Sequence, residues 1–309
     1  MPDFLQIADI PAEELAAILE DAHKSKQSRL GKPKGFVDPE APFADCVVAL
    51  IFDKPSTRTR LSFDVGVHQL GGKSIVVSTE STHRARGESV KDTALVLSRY
   101  VDLIMIRTFE DDILNELAQY ADSPVINGLT DSNHPCQILG DIMTFEEHRG
   151  TIKNKKVVWV GDGNNVCNSF LQAAGKFGFS LTFCGPQEFD PDASEIANAQ
   201  EQGAEVILER DPKNCIPEAD LIVTDTWVSI HEDNNPNTKL NSDLKVYQVN
   251  STMMKMAKSD ALFMHCLPAH REKEVTSEVL DGPQSVVFDE AENRLHIQKS
   301  IMKWCMGLL

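Results

Sequence analysis

Residues 47–60 read VVALIFDKPSTRTR, an apolar run followed closely by hydroxyl and guanidinium side chains. The run Val47–Phe52 predicts a buried strand, and the segment Leu61–Leu70 has a helical pattern. Where a strand leads into a helix, the first helical turn offers free backbone N–H groups and a partial positive charge. The Ser, Thr and Arg side chains of residues 56–60 add to this, so the stretch predicts a site for a doubly charged phosphate. A capped helix start with two solvated arginines is the alternative.

Short apolar strands alternate with segments of helical period along the whole chain. The alternation predicts an α/β fold of two doubly wound domains, each a parallel sheet flanked by helices. We expect the first domain to span residues 1–147 and the second 148–289, with a final helix over 290–309 that packs back on the first. Because such sheets bind ligands beyond the carboxyl ends of their strands, we expect the active site in the cleft between the domains. The predicted strands are Val47–Phe52, Ser74–Ser78, Leu103–Ile106, Val157–Val160, Leu181–Cys184, Val206–Leu208, Leu221–Thr224, Leu262–His265 and Ser285–Phe288.

The charge balance of the chain excludes some functions and sharpens others. A formal net charge of −17 argues against general nucleic-acid binding. An acidic protein that binds an anion must concentrate positive charge locally, and Lys54, Arg58 and Arg60 do so within seven residues. The seven cysteines form no CxxC pair, which favours reduced thiols. We see neither a signal-peptide pattern at Met1 nor an apolar run of about 20 residues that would span a membrane, so we expect a cytoplasmic location.

Two charged residues are predicted at the carboxyl ends of strands. Arg107 follows Leu103–Ile106, where a guanidinium group can stabilise a carbonyl oxygen that becomes negative in a transition state. Asp225 follows Leu221–Thr224, where a carboxylate can pair with an ammonium group of a substrate. A surface arginine and an aspartate that caps the next turn are the alternatives.

A histidine and a glutamine are predicted at the start of a long helix, which we expect from about His134 to His148. The helix dipole disfavours protonation of His134, and a neutral imidazole can donate one hydrogen bond to a carbonyl oxygen. Gln137 lies one turn further on and can present its amide to the same ligand. A capping histidine beside a solvent-facing glutamine is the alternative.

Two loops raise the question of cofactors. Residues 157–166, VVWVGDGNNV, resemble the start of a dinucleotide-binding unit, but the third glycine of that fingerprint is missing. A generic ligand-facing turn is favoured, with the amide of Asn165 toward the ligand. Residues 265–271, HCLPAHR, contain two histidines and a cysteine without a second ligand pair at a convincing spacing, so we expect no metal. A nucleophilic role for Cys266 is not needed if the substrate carries a good leaving group.

Six segments occur together in the order found in the transcarbamylase family, and the chain most closely resembles its ornithine-specific members. They are STRTR at 56–60, RTF at 107–109, HPCQ at 134–137, GDGNN at 161–165, DTWVS at 225–229 and HCLP at 265–268. The resemblance implies transfer of the carbamoyl group of carbamoyl phosphate to the side-chain amine of ornithine, giving citrulline and phosphate in arginine metabolism. It implies no metal or organic cofactor. It also implies a homotrimer, with a loop of the neighbouring subunit completing each site.

The resemblance also implies a role for each matching residue. The phosphate would be held by Ser56, Thr57, Arg58 and Thr59, with His83 from the neighbour's loop. The carbamoyl end would be held by Arg107, His134 and Gln137, and its site completed by Cys266, Leu267 and Arg294. The amino and carboxylate groups of ornithine would be held by Asn165, Asp225, Ser229 and Ile230. The residues expected to be catalytic are Arg58, Thr59, Arg107, His134, Asp225 and Cys266.

The chain departs from the family pattern at two loops, and other functions stay open. His83 stands where the family usually has Gln, and Ile230-His231 replaces the usual Met-Gly. Aspartate, putrescine or an acetylated ornithine are alternative acceptors. The sequence Cys266-Leu267-Pro268-Ala269 disfavours aspartate as the acceptor, because the resemblance implies Pro-Leu-Pro-Arg at this place in the aspartate-specific enzymes. A nucleotide-dependent dehydrogenase and a non-catalytic anion-binding protein are the alternatives from other classes.

Overall fold

The structure, a computed structural model, describes residues 1–78, 87–227 and 244–309. The chain divides into two compact units, one of Met1–Met143 with Glu292–Leu309 and the other of Thr144–Ala291. Both dividing points fall inside long helices. The helix at the first one runs on to Arg149.

Within the described residues, none of the helices combines the length and the apolar character needed to cross a membrane.

The first unit is built on a four-stranded parallel sheet of order β2-β1-β3-β4. The strands β1, β3 and β4 of this sheet are almost wholly buried, which explains the continuous apolar runs of β1 and β3. The edge strand β2 has several exposed residues. The elements of this unit are α1 (Ala12–Ser28), β1 (Val47–Phe52), α2 (Thr57–Gln69), β2 (Lys73–Ser78), α3 (Val90–Leu97), β3 (Leu103–Arg107), α4 (Asp111–Tyr120), β4 (Val125–Leu129) and α5 (Pro135–Arg149).

The second unit is built on a five-stranded parallel sheet of order β7-β6-β5-β8-β9. Its elements are β5 (Lys156–Val160), α6 (Asn165–Phe177), β6 (Ser180–Cys184), α7 (Ala193–Glu201), β7 (Val206–Glu209), α8 (Pro212–Cys215), β8 (Leu221–Thr224), α9 (Ser251–Met254), β9 (Leu262–Met264), α10 (Ser277–Leu280) and α11 (Val287–Cys305). The helix α11 ends in the first unit.

In each sheet the chain first adds strands on one side of the first strand and then adds the remaining strands on its other side. From β1 the chain moves to β2 on one side and then to β3 on the other, and from β5 it moves to β6 and later to β8. Successive connections leave such a point in opposite directions and open a crevice at the carboxyl ends of the two strands. The fold therefore predicts ligand-binding groups after β1 and β3 in one unit, and after β5 and β8 in the other.

The predicted α/β fold with two parallel sheets is confirmed, but one predicted strand is wrong. The strands β1 and β8 have the predicted bounds, and six others differ by one residue at one end. The segment Ser285–Phe288 is not a strand, because Val287 and Phe288 begin α11 and Ser285 forms only an isolated bridge to Phe263. An apolar run as short as residues 286–288 does not distinguish a strand from the first turn of a buried helix.

A buried polar cluster anchors α11 in the first unit. Lys299 donates hydrogen bonds to Asp38 at 2.6 Å and to the amide oxygen of Gln69 at 3.1 Å, and Arg29 donates to the other oxygen of Asp38. His296 lies one turn earlier in α11 and is 4% exposed. Burial, reinforced by nearby lysine charges, lowers the pKa of His296 to about 3. The imidazole is therefore neutral in the folded protein at physiological pH.

We expect the substitution His296→Asn to make the protein less sensitive to acid. The unfolded chain protonates this histidine below a pH of about 6.5 whereas the folded chain does not, so the parent loses stability as the pH falls from about 6.5 toward 3. At pH ~5 this loss is about 2 kcal/mol. Urea unfolding at pH ~7.5 and ~5 should show that the parent loses about that much more than the variant. The exposed His68 offers a control in His68→Asn, and equal losses in all three proteins would contradict the expectation.

Candidate functional site

The helix α2 begins inside the segment STRTR, four residues before the predicted Leu61. Ser56 is its N-cap, and its hydroxyl oxygen accepts a hydrogen bond from the backbone N–H of Thr59 at 3.3 Å. The capped helix start considered as an alternative is thus present. It does not compete with anion binding, because helix geometry leaves further N–H groups of the first turn without intrahelical acceptors. Thr57 and Arg58 lie in that turn, Thr57 exposed and Arg58 half-buried.

Three distant segments meet at the hydroxyl of Thr59, which is fully buried. Its oxygen accepts hydrogen bonds from Arg107 at 3.3 Å and from Arg294 at 2.8 Å. Arg107 is the last residue of β3 rather than the residue after it, and the register between β3 and β4 shifts by one residue beside it. Arg294 comes from α11, 235 positions further along the chain. The three residues that the resemblance grouped around carbamoyl phosphate are therefore brought together.

His134 lies within this cationic group and is 3% exposed. Burial holds the pKa of His134 well below its usual range, and the charges of Arg294, Arg107, Lys54 and Arg58 act in the same direction. The predicted neutral imidazole thus has a different main cause from the helix dipole invoked for it. A neutral ring keeps one N–H to donate and one nitrogen to accept. It can bind a polarised carbonyl oxygen without adding a further charge to the group.

Gln137 is fully buried on the first turn of α5. Its side-chain nitrogen donates a hydrogen bond to Asp141, at 2.7 Å and one turn further along the helix. Residues four apart on a helix face each other, which accounts for the pairing. The expectation that Gln137 presents its amide to a ligand stays a prediction, with one N–H of that amide engaged by Asp141.

Lys54 is more closely involved in this group than the sequence indicated. Its side chain is 7% exposed, its ammonium donates to Asp131 at 2.5 Å, and it lies 4.6 Å from the ring centroid of Phe109. Burial lowers the pKa of Lys54, partly offset by the hydrogen bond to Asp131. The only sequence signal was a lysine two positions before STRTR, which reads equally well as a surface charge.

In the second unit, the carboxylate of Asp225 is held by three donors just beyond β8. Asn164 donates its side-chain N–H to Oδ2 at 2.8 Å, and the thiol of Cys266 donates to Oδ1 at 3.1 Å. The backbone N–H of Thr226 also donates to Oδ1, at 2.7 Å. Asn164 is the N-cap of α6, and the predicted ligand-facing Asn165 is the first residue of that helix, so the role of Asn165 toward ornithine stays a prediction. The sequence Asn-Asn does not show which amide faces the strand end.

The glycines of the GDGNN turn are explained by packing within the chain. Gly161 has a φ of +111°, and a Cβ built on it would lie 2.7 Å from the indole nitrogen of Trp227. A Cβ on Gly163 would lie 2.4 Å from the backbone nitrogen of Pro191. Both positions therefore require glycine without any nucleotide, which agrees with the generic turn favoured from the sequence.

The HCLP loop is ordered by hydrogen bonds on both sides of His265. One ring nitrogen lies 3.3 Å from Glu274, and the other accepts the backbone N–H of Leu267 at 2.9 Å. Leu267 has a φ of +57°, a left-handed conformation that costs energy in a non-glycine residue. Side-chain atoms of Asp225, His265 and Cys266 lie within 4.8 Å of one another, a spacing that a metal ion also allows. Both histidine nitrogens are engaged, so a metal would have to displace one of these bonds.

Three predicted site residues, His83, Ser229 and Ile230, lie outside the described residues, as does His231.

Two family models together match almost the whole chain. One, described as the carbamoyl-P binding domain of aspartate/ornithine carbamoyltransferase, matches residues 2–147. The other, described as the Asp/Orn binding domain of the same enzymes, matches residues 153–305. The two parallel-sheet units and their strand-end sites define a two-domain α/β transferase, and the chain belongs to the aspartate/ornithine carbamoyltransferase family. The resemblance drawn from the six segments is confirmed.

Three ornithine carbamoyltransferases are similar to this chain over nearly its whole length. The one from Ruegeria pomeroyi is 58% identical over 307 residues, which cover 99% of this chain and 100% of the relative. The solved ornithine carbamoyltransferase from Pyrococcus furiosus is 44% identical with a TM-score of 0.93, covering 100% of this chain and 98% of that one. The anabolic ornithine carbamoyltransferase from Campylobacter jejuni is 33% identical with a TM-score of 0.90, and each chain is covered completely.

We expect the substitution Thr59→Val to destabilise the first unit by about 1–3 kcal/mol, because Arg107 and Arg294 lose a buried hydrogen-bond acceptor. The matched variant Thr59→Ser keeps the hydroxyl and should stay closer to the parent. Denaturant titration of the three proteins measures the difference. A valine variant as stable as the serine variant would show that the hydroxyl is not needed to hold the two guanidinium groups.

Proposed function

We propose that this chain is an enzyme that transfers the carbamoyl group of carbamoyl phosphate to the side-chain amine of L-ornithine, giving L-citrulline and phosphate. The observation that carries the proposal is the buried cationic group of Arg107, Arg294 and Lys54 around Thr59 and the neutral His134. A protein of net charge −17 gathers these charges in one place, where a doubly charged phosphate would neutralise them. The names of the full-length relatives support ornithine as the second substrate.

The donor half of the proposed site lies at the start of α2. Ser56, Thr57, Arg58 and Thr59 would hold the phosphate, since a helix N-terminus and charged donors both favour a dianion. When the bond from the carbamoyl carbon to the phosphate oxygen breaks, that oxygen gains negative charge. Donors already in place stabilise the developing charge without reorganising.

The carbamoyl end would lie against Arg107 and His134. Attack on the carbamoyl carbon makes its oxygen negative in the tetrahedral intermediate, and a guanidinium together with a neutral imidazole N–H can stabilise that oxygen. Because the pKa of His134 is so low, the ring would donate this hydrogen bond without a competing acid form. Gln137 would face the carbamoyl group, with its NH₂ end bound to Asp141. Arg294 would complete this side of the site.

The acceptor half lies beyond β8 and β9. Asp225 would pair with the amino group of ornithine, and Cys266, whose thiol donates to that carboxylate, would line the site with Leu267. We assign the remaining contacts to Asn165 and to two residues outside the described part of the chain, Ser229 and Ile230.

The chemical step is direct displacement. The neutral side-chain amine forms a bond to the carbamoyl carbon, the tetrahedral intermediate breaks its bond to the phosphate oxygen, and the new nitrogen gives up one proton to the departing phosphate. An alkyl ammonium has a pKa of about 10.4, so the rate should rise with pH until the amine is free or another group titrates. Holding the two substrates in the reactive geometry is worth up to about 7–11 kcal/mol.

A panel of acceptors tests the proposed reaction. With carbamoyl phosphate, we expect L-ornithine to be carbamoylated and aspartate, putrescine and N-acetylornithine to react at least about a hundredfold more slowly in kcat/KM, because each changes a charged group of ornithine. Product formation is followed by chromatography and phosphate release. Comparable rates with N-acetylornithine would contradict the role of Asp225, because acetylation removes the charge of the amino group that it would bind. Phosphate binding without any carbamoyl transfer would identify a non-catalytic anion-binding protein.

Two arginines of α2, two positions apart in the sequence, offer a matched pair of variants for the same assay. Arg58 is half-buried, and its charge contributes to lowering the pKa of His134, whereas Arg60 is exposed. We expect Arg58→Ala to reduce kcat by about 10²–10³, the usual cost of removing one transition-state donor. Arg60→Ala should stay near the parent. Unchanged activity of Arg58→Ala at saturating carbamoyl phosphate would overturn the assignment.

The proposal includes a homotrimer in the cytoplasm, with His83 of a neighbouring subunit at the phosphate. The cysteines support the location, since the structure places none of those in its described residues in a disulfide. Exposed apolar side chains support a subunit interface, since Leu95, Val96 and Tyr100 of the first unit are 40%, 47% and 72% exposed.

We expect light scattering to give about three times the chain mass of 34.3 kDa. A charge at the apolar surface, in Leu95→Lys, should lower that mass and reduce activity together, because a buried unpaired charge disfavours association. The matched change Leu208→Lys on the exposed face of β7 should leave the mass unchanged. A monomeric parent with full activity would contradict the trimer.

A further inference from the structure

We propose that Asn164 is the positioning residue for the acceptor substrate, because one side-chain amide both starts α6 and sets the orientation of Asp225. The inference rests on the proposed function, in which Asp225 binds the amino group of ornithine. Neither the motifs nor the predicted site residues pointed to Asn164, since the amide expected to act there was that of Asn165.

The two ends of the Asn164 amide have separate partners. Its oxygen accepts hydrogen bonds from the backbone N–H groups of Val166 at 3.0 Å and Cys167 at 3.3 Å, as an N-cap does. Only the oxygen of an amide can accept, so this pair of bonds decides which way the group is turned. The nitrogen must then face the opposite side, where it donates to Oδ2 of Asp225 at 2.8 Å.

The remaining contacts of Asp225 leave little freedom to its carboxylate. Oδ1 accepts from the backbone of Thr226 at 2.7 Å and from the thiol of Cys266 at 3.1 Å. An ionised carboxylate has about four lone-pair sites. Donors among the described residues use three of them, so roughly one direction is left for a substrate ammonium group. Removing the Asn164 donor would free Oδ2 and let the carboxylate rotate about Oδ1.

The side-chain chemistry separates this role from simple capping. Ser, Asp and Asn cap helices about equally well, so any of them would serve α6. Of the three, only Asn offers an acceptor to the helix and, from the same planar group, an N–H donor that reaches a carboxylate. Its place also suits the role, because Asn164 follows β5 and Asp225 follows β8, the two strands beside which this sheet reverses.

The first test compares Asn164→Ser with a control cap in the same unit. Asn250 is the N-cap of α9, accepts from the backbone of Met253 at 3.0 Å, and contacts no proposed site residue. Both serine variants keep a cap and should lose similar, small amounts of thermal stability. We expect Asn164→Ser to raise KM for ornithine at least about tenfold, the effect of losing a hydrogen bond to a charged group, and to leave carbamoyl phosphate affinity unchanged. Asn250→Ser should change neither.

The second test uses Asn164→Asp, which keeps the cap but sets a carboxylate against Asp225. When both groups are ionised they repel each other, and when one proton is shared the new acid again donates to Oδ2. We therefore expect the ratio of kcat/KM for ornithine, variant over parent, to rise as the pH falls from about 9 to about 6. A purely structural role of Asn164 would give a ratio that does not change with pH.

The outcomes distinguish this inference from the function on which it rests. If the parent makes citrulline and both Asn164 variants keep the parental KM for ornithine and a flat ratio, the positioning role is wrong and the proposed reaction stands. If Asn164→Ser lowers thermal stability far more than Asn250→Ser and affects both substrates alike, the residue is structural only and the inference is again wrong. If the parent makes no citrulline, the proposed function itself fails.

Discussion

Two guanidinium groups, those of the buried Arg294 and the half-buried Arg107, converge on the buried hydroxyl of Thr59. Arg107 and Arg294 repel each other, and burial removes most of the water that would screen them. The surroundings limit the cost in two ways. His134 stays neutral, so it adds no charge, and Lys54 is paired with Asp131. The group keeps a net positive charge, which favours binding of a phosphate.

Both units carry their candidate ligand-binding side chains at the same place in the sheet topology. The charges of these side chains are opposite in the two units. In each, the polar residues follow the two strands beside which the sheet reverses, so their spacing is set by backbone hydrogen bonds rather than by flexible loops. The first unit places guanidinium groups and a helix N-terminus at that point, which suits a phosphate. The second places Asp225, fixed by Asn164 and Cys266, which suits an ammonium group. The scaffold supplies the geometry, and a few side chains decide the sign of the charge.

Most strands could be predicted closely, because buried parallel strands consist largely of short runs of apolar residues. The strands β1 and β8 have the predicted bounds. The failure at Ser285–Phe288 shows the limit, since three apolar residues begin a buried helix equally well. At the site, residue type was informative but orientation was not. Nothing in the sequence shows that the NH₂ end of Gln137 donates to Asp141, or that Asn164 donates to Asp225. These orientations depend on contacts made in the folded chain, which the spacing of apolar residues along the sequence does not reveal.

The division of the chain has a consequence for how the protein is made. The first unit takes its last part, Glu292–Leu309, from beyond the whole of the second unit. A ribosome releases residues in sequence order, and domains generally fold as they emerge. The second unit therefore has all of its residues while the first still lacks α11 and, with it, Arg294 and the Lys299 anchor. During synthesis Thr59 and Arg107 are made long before Arg294, so a nascent chain acquires its complete cationic group only after the second unit has been made.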